Sequence, residues 1–419
     1  MQRLRGGWLW LGLIAAGCGD DDGGDLSTTT MEPPPPGTTT EPGETTETPD
    51  PTTGAVSMCG DGVIAGGEQC DDGDDIGDNA CAGDCTYYVQ PACPAEYVVC
   101  DAGFDLADKS DPTRALAAMG VCNELGDNSV LVADFTFVAD DAASWQVARG
   151  FGSFEDPDAP GQPLFSPREG ETLLILSTGR ISGPDGDGVV LEVGGSQISN
   201  DENDNADSPD FLPEPLSPDL GSNQGAGGTP FNACDGVNDC SDTIYAQWWE
   251  LNNGNPNDML FFKLDVTVPL ATHGYSFDMV FCSAEWPVYV GTGYNDMFIA
   301  WQTDPGVGAY VGNVAYVHDP MVPDAGLPFN ATTLDQYFKN SGYTKDAPQL
   351  AGTGFETHAC TGWLTVKGGV QPGAHVTLGF FLSDQSDKIV ASQVILDNFR
   401  WDCAGCDPAS ASDCGVQDP

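Results

Sequence analysis

Positive charge is what this chain has least of. It carries 13 Lys and Arg against 64 Asp and Glu, a formal net charge of −51 over 419 residues. No Lys or Arg occurs between Arg5 and Lys109. Such a surface argues against nucleic acid as a partner, because that binding rests on cationic contacts to phosphates. It also repels anionic lipid heads. Small cations are its natural partners, although acidity alone also keeps an exported protein soluble. Catalytic signatures are missing as well. The histidines, His273, His318, His358 and His375, are scattered, and there is no HExxH, no GxSxG and no phosphate-binding glycine loop. No segment offers the run of ~20 apolar residues that a membrane-spanning helix needs.

What is present at the start is Arg3 and Arg5, a short apolar run over 8–16, then Gly17 and Cys18, the pattern of an export signal. Ala15-Ala16-Gly17-Cys18 resembles a bacterial lipobox, with Ala15 where Leu is usual. The resemblance implies a signal peptide over 1–17 and a lipidated Cys18 as the mature N-terminus. The membrane partner would then be reached through a lipid anchor, in the cell envelope, at the outer membrane or the extracellular surface. Ordinary cleavage after Gly17 is the competing reading. The 15 cysteines are an odd number, and lipidating Cys18 leaves an even set that can all pair in an oxidising compartment.

Residues 18–57 read as a disordered tether rich in Thr, Pro and Glu, with almost nothing apolar to bury. Proline and like charges extend it. Residues 59–90 form a small Cys-rich module with Cys59, Cys70, Cys81 and Cys85. A module this short cannot bury a sufficient core and needs covalent staples. Its Cys59-Gly60-Asp61-Gly62 opening and its Glu68-x-Cys70-Asp71-Asp72-Gly73 centre resemble the myxobacterial disulfide repeat.

Residues 93–407 read as one domain, followed by a tail over 408–419. A short helix is expected over 111–119, with Asp111 capping and Pro112 in the first turn. The rest reads as strands separated by Gly, Pro, Asn and Asp, at 129–138, 172–177, 189–193, 259–268, 275–283, 296–302, 312–318, 362–366, 375–382 and 392–401. Leu264-Asp265-Val266-Thr267-Val268 alternates as a strand with one buried face does. Many short strands with little helical periodicity predict a mainly β fold, a large jelly-roll-like β-sandwich. The long loop over 194–232 is of a length that is often functional or ordered by metal.

Cysteine spacing adds constraints. Cys234 and Cys240 are close enough to pair locally, and Cys282, in one strand, and Cys360, just before a later one, are expected to pair across the core. Two triplets remain, Cys93, Cys100, Cys122 and Cys403, Cys406, Cys414. If the small module pairs internally, each triplet leaves one thiol over, and a bond is expected to tie the start of the domain to its end. Cys403 and Cys406 read as disulfide partners of this set rather than as a redox or zinc motif, given the exported, cysteine-rich context.

Three stretches, 173–179, 281–298 and 378–398, resemble choice-of-anchor L domains of bacterial surface proteins. The residues that carry the resemblance are the LLILSTG segment, Glu285-Trp286-Pro287 with Gly291, Gly293 and Asn295-Asp296, and Asp384, Asp387 and Asp397-Asn398. The resemblance spans 120–406 and implies a place on the cell surface more than a chemistry. Trp286 stands where Tyr is more usual, and Lys388 to Ala391 where an acid would be expected before Ser392.

Two groups of residues suit a hard cation, calcium above all. Asp201, Asn203, Asn205 and Asp207 alternate, so that their oxygens can converge in one turn. Asp185 and Asp187, and the aspartates of the small module, are weaker candidates. Glu285, Asn295, Asp296, Asp384, Asp387 and Asp397 fall at strand ends or turns and are expected to gather at one edge, where they would need a cation or shared protons. A pair of these acids would alternatively suit glycoside hydrolysis. Trp248, Trp249, Trp286, Tyr289, Tyr294 and Trp301 are available for stacking on sugars or for core packing, with Trp286 expected to be exposed and Trp301 buried. Together these point to a non-catalytic surface lipoprotein for adhesion, with a surface polysaccharide or protein as partner and calcium in support. A secreted carbohydrate-active hydrolase with carboxylates near Glu285 is the alternative.

Overall fold

The computed structural model describes residues 99–122, 131–199, 212–221, 231, 234, 236–251, 256–304, 310–322 and 325–417. The signal peptide, Cys18, the tether, the 59–90 module with its cysteines Cys59, Cys70, Cys81 and Cys85, Cys93, and Asp201, Asn203, Asn205 and Asp207 lie outside the described residues.

The fold is mainly β. A five-stranded antiparallel sheet runs in the order Leu131–Val138, Pro256–Thr267, His375–Gln385, Met297–Thr303, Val311–Asn313. An eight-stranded sheet has Gly274–Ser283 and Ser392–Asp402 paired at its centre and is completed by Leu173–Ser177, Trp145–Ala148, Ala359–Cys360, Tyr343–Thr344, Leu364–Gly369 and Gly415–Gln417. The two sheets face each other across the largest apolar cluster, to which the first contributes Phe262, Leu264, Leu378 and Phe380 and the second Phe277, Met279, Phe281, Val394 and Leu396. Phe262 stacks on Phe380 at 4.7 Å within one sheet, and Phe277 meets Phe380 edge-on at 5.5 Å from the other. This is a β-sandwich, as the alternating strands predict.

The central strands are apolar on both faces because the outer faces are covered too. Val280, Cys282, Ile175 and Ile395 pack beneath Phe151, Phe165 and Phe355, and Phe261, Ile299, Trp301 and Phe381 pack beneath Leu212, Leu216, Ile244 and Trp248. Continuous burial replaces strict alternation in such strands. Trp301 is 1% exposed, as expected.

The helix is Thr113–Ala118, with Asp111 Oδ1 accepting from the Thr113 amide at 3.0 Å and its hydroxyl at 2.6 Å. The strand expected over 312–318 is instead two, Val311–Asn313 and Tyr316–His318. Between them Val314 donates to Ala300 O, and Asn313 turns the chain by accepting from the Ala315 amide. The 408–419 stretch, expected as a tail, supplies the strand Gly415–Gln417 and buries Ala411 and Cys414 in the core. One knot in the fold was not foreseen. The buried Asp239 carboxylate accepts from the Ser241, Thr243, Ile244 and Asn313 amides and the Ser241 hydroxyl, tying the chain after Cys234 to the Val311–Asn313 strand.

Disulfides join Cys100 to Cys122, Cys234 to Cys240, Cys282 to Cys360 and Cys406 to Cys414. The Cys282–Cys360 bond does not cross the core as expected: the two residues are directly opposite on neighbouring strands, so it lies within one sheet. Each triplet thus closes one internal bond. Cys403 is disulfide-bonded to a partner outside the described residues. Peptide mapping under non-reducing conditions is expected to find Cys403 linked to Cys93; a map that pairs Cys93 within the 59–90 module contradicts this.

Candidate metal centre

Two chain crossings build the site. At the first, the central strand Gly274–Ser283 ends and Glu285 follows at once, its amide donating to Ser283 Oγ at 3.2 Å and its carbonyl accepting from Tyr289 at 2.9 Å. The turn over 285–292 then leads to Asp296, which immediately precedes the strand Met297–Thr303. At the second crossing, Asp384 sits near the end of His375–Gln385, just past an irregularity in its pairing with Pro256–Thr267. Asp387 lies in the connection to Ser392–Asp402, with its Oδ1 accepting from Ile389 at 3.2 Å. Because Ser383 pairs with Met297 and Ser392 with Ser283, the register brings both crossings to the same end of the sandwich.

One carboxylate oxygen each from Glu285, Asp384 and Asp387 lie within 4.8 Å of one another. Asp296 adjoins them, and its charge acts on both Glu285 and Asp384. Glu285 is 1% exposed, Asp296 0% and Asp384 1%, and Asp387 is half-buried. Burial pushes all four carboxyls up, Asp384 well above its usual range; the neighbouring carboxylates push Glu285 and Asp384 further, while on Asp296 hydrogen bonds involving Ser392, Asp384 and Gln385 work against burial and Asp387 adds to it. Thr178 Oγ1 donates weakly to Asp296 Oδ2 at 3.4 Å. Glu285 Oε2, Asp296 Oδ1 and Asp384 Oδ1 are buried without a hydrogen-bond donor.

Buried acceptors nearly always have a donor, and leaving one without costs about 1–3 kcal/mol. Such oxygens on Glu285 and Asp384, which cluster with Asp387, and on the adjoining Asp296 form a pattern that a hard cation satisfies. The spacing fits. Calcium takes oxygens at about 2.3–2.6 Å, so ligands on opposite sides of one ion stand about 4.6–5.2 Å apart.

The structure brings together Glu285, Asp296, Asp384 and Asp387 and leaves out two residues expected with them. Asn295 points away: its Oδ1 accepts from the Thr332 amide at 3.1 Å and its Nδ2 donates to Gln247 at 3.3 Å. Asp397 serves another turn, accepting from the Arg168, Glu169 and Asn398 amides. Asp185 accepts from the Asp187 and Val189 amides at 2.9 and 3.0 Å, which makes its segment an ordinary turn. Trp286, expected as an exposed ring, is buried at 7% exposure. Its indole N–H donates to Asp335 at 3.0 Å and its ring meets Phe338 edge-on, partners that the sequence order places far away. Tyr294 is the exposed aromatic of that turn, packed against Tyr289.

No family model, no curated protein and no solved structure matches the chain.

Proposed function

We propose that this is a cell-envelope lipoprotein, anchored through Cys18 and a tether, whose β-sandwich is displayed for non-catalytic adhesion and is held in shape by one calcium ion bound by Glu285, Asp296, Asp384 and Asp387. The observation that carries the calcium reading is the carboxylate group of Glu285, Asp384 and Asp387, one oxygen of each within 4.8 Å of the others, with buried donorless oxygens on Glu285 and Asp384 and on the adjoining Asp296. Display at the surface rests on the lipobox-like start and on the resemblance to choice-of-anchor L domains. The ion joins the turn after Gly274–Ser283 to the connection between the two long strands His375–Gln385 and Ser392–Asp402.

Burial favours this reading over hydrolysis at the same acids. A glycosidase pair must reach both faces of a sugar and a water, whereas Glu285 and Asp296 are closed off from solvent. The test is a calorimetric titration of the chelator-treated full chain with calcium chloride, beside the Glu285→Gln/Asp384→Asn variant. The variant is expected to bind one ion fewer per chain. Equal stoichiometry in the two proteins, or no binding by either, contradicts the reading.

A further inference from the structure

A second site lies apart from the acidic cluster. A cleft of about 630 Å³ opens between the turn after Gly150–Glu155, the segment after Pro163–Phe165, the short strand Tyr343–Thr344 and the outer face of Ser392–Asp402. Its walls include Tyr343, Trp363, Arg168, Arg400, Asn398 and Asp156. That volume is in the range that holds a small ligand or a few sugar units, roughly 300–1,000 Å³.

The composition of the walls is selective. The chain has only 13 basic residues, and two of its arginines line this one cleft. Both aromatic rings are half-buried and braced from behind. Tyr343 meets Phe165 edge-on at 6.2 Å, and Trp363 packs against the same cluster as Phe165. Both rings line the cleft from these braced positions.

The polar groups are positioned too. Asp278, 4% exposed, accepts from Asn398 Nδ2 at 2.7 Å and from Arg168 Nε at 3.4 Å, and Arg400 Nε donates to Asn398 Oδ1. This network holds Arg168, Asn398 and Arg400 in register along one wall. Arg168 spends only its Nε there; its side chain is 51% exposed, and its guanidinium lies 6.0 Å over the Trp363 ring. Its terminal nitrogens remain for a ligand. Asp156, which also lines the cleft, supplies carboxylate oxygens as acceptors, one of them shared with the Asp158 amide.

We infer that this cleft binds a neutral, polyhydroxylated saccharide chain, with sugar faces against Trp363 and Tyr343 and hydroxyls bridging Arg168, Asn398 and Asp156. Aromatic surface with a few fixed donors and acceptors is what such a ligand requires. A charged glycan fits less well. Asp156, Asp158 and Asp278 offset the two arginines locally, and a protein of net charge −51 repels a polyanion at longer range. The inference deepens the adhesion reading but not its calcium part, because none of the four proposed calcium ligands lines this cleft.

The test uses the full chain in calcium, titrated with neutral hexaoses (cello-, malto-, xylo- and chito-series) and, in parallel, with oligogalacturonate, following tryptophan fluorescence and heat. At least one neutral series is expected to bind, with affinity reduced tenfold or more in Trp363→Ala and in Arg168→Gln. Calcium stoichiometry is expected to stay unchanged in Arg168→Gln, because none of the four proposed calcium ligands lines this cleft. If Trp363→Ala does not fold, Tyr343→Leu, which removes the ring, and Arg168→Gln give the answer. No binding by any neutral series, binding of oligogalacturonate alone, or affinity untouched by Arg168→Gln and the aromatic variants overturns the inference. Saccharide binding by a wild-type chain that binds no calcium would count against the calcium centre and leave this site standing.

Discussion

Replacing Cys282 and Cys360 together by alanine is expected to lower the stability of the folded domain by about 4 kcal/mol, measured by urea unfolding. The bond spans a sequence separation of 78. In the chain-entropy account, breaking it returns that loop's freedom to the unfolded state, and the gain grows with the logarithm of loop length. Alanine is the right replacement because both positions are closed off, Cys282 at 1% and Cys360 at 0%, so serine would add two buried hydroxyls to an apolar cluster. The same substitution at Cys234 and Cys240, only 6 apart, serves as the control and is expected to cost about 2 kcal/mol. A loss below about 1 kcal/mol for the 282–360 pair, or a larger loss for the 234–240 pair, contradicts the loop argument. The structural role is local as well. Ala359–Cys360 has just two residues pairing with Gly274–Ser283, and the covalent bond holds that short edge in register.

The long strands were legible in the sequence, and the reason is physical. Stretches such as Leu264 to Val268 and the run through Phe277, Met279 and Phe281 state their burial in their own side chains. The pair Cys234–Cys240 was legible too, from cysteine spacing, and Cys282–Cys360 as a pair, although not its place within one sheet, which depends on how distant strands order. Short elements were not. Trp145–Ala148, Pro163–Phe165, Tyr343–Thr344 and Gly415–Gln417 have between two and four residues, and their pairing is decided by strands far away in the chain.

The candidate site divides the same way. Glu285, Asp296, Asp384 and Asp387 could be grouped because acids at the ends of predicted strands converge when those strands share an edge. Which neighbours stay out could not be read. Asn295 and Asp296 are adjacent, so the extended chain aims their side chains in opposite directions, and only the Thr332 amide and Gln247 reveal which one turns away. Trp286 was misplaced because its cover comes from Asp335 and Phe338, about fifty residues downstream. Trp363 and Arg168 were overlooked entirely. The available signal was the scarcity of arginine itself, which makes any clustering of that residue informative.

The second large effect belongs to the proposed calcium centre, and its expected sign differs between two states of the protein. With calcium present at a thousandfold excess over its dissociation constant, binding to the folded state alone stabilises it by about 4 kcal/mol. Without calcium the same carboxylates are a liability, since burial and mutual repulsion raise the cost of ionising Glu285, Asp296 and Asp384. Glu285→Gln/Asp384→Asn removes both terms. Calcium-loaded, the variant is therefore expected to melt below the wild type; chelator-treated, it is expected to melt at or above it. A structural role of these acids that does not involve a cation would lower the variant in both conditions.

The most direct measurement is the thermal melting midpoint of the full chain in millimolar calcium and in excess chelator. The account predicts a midpoint several degrees higher with calcium in the wild type, and no difference in Glu285→Gln/Asp384→Asn. A wild-type midpoint that is the same in calcium and in chelator contradicts it.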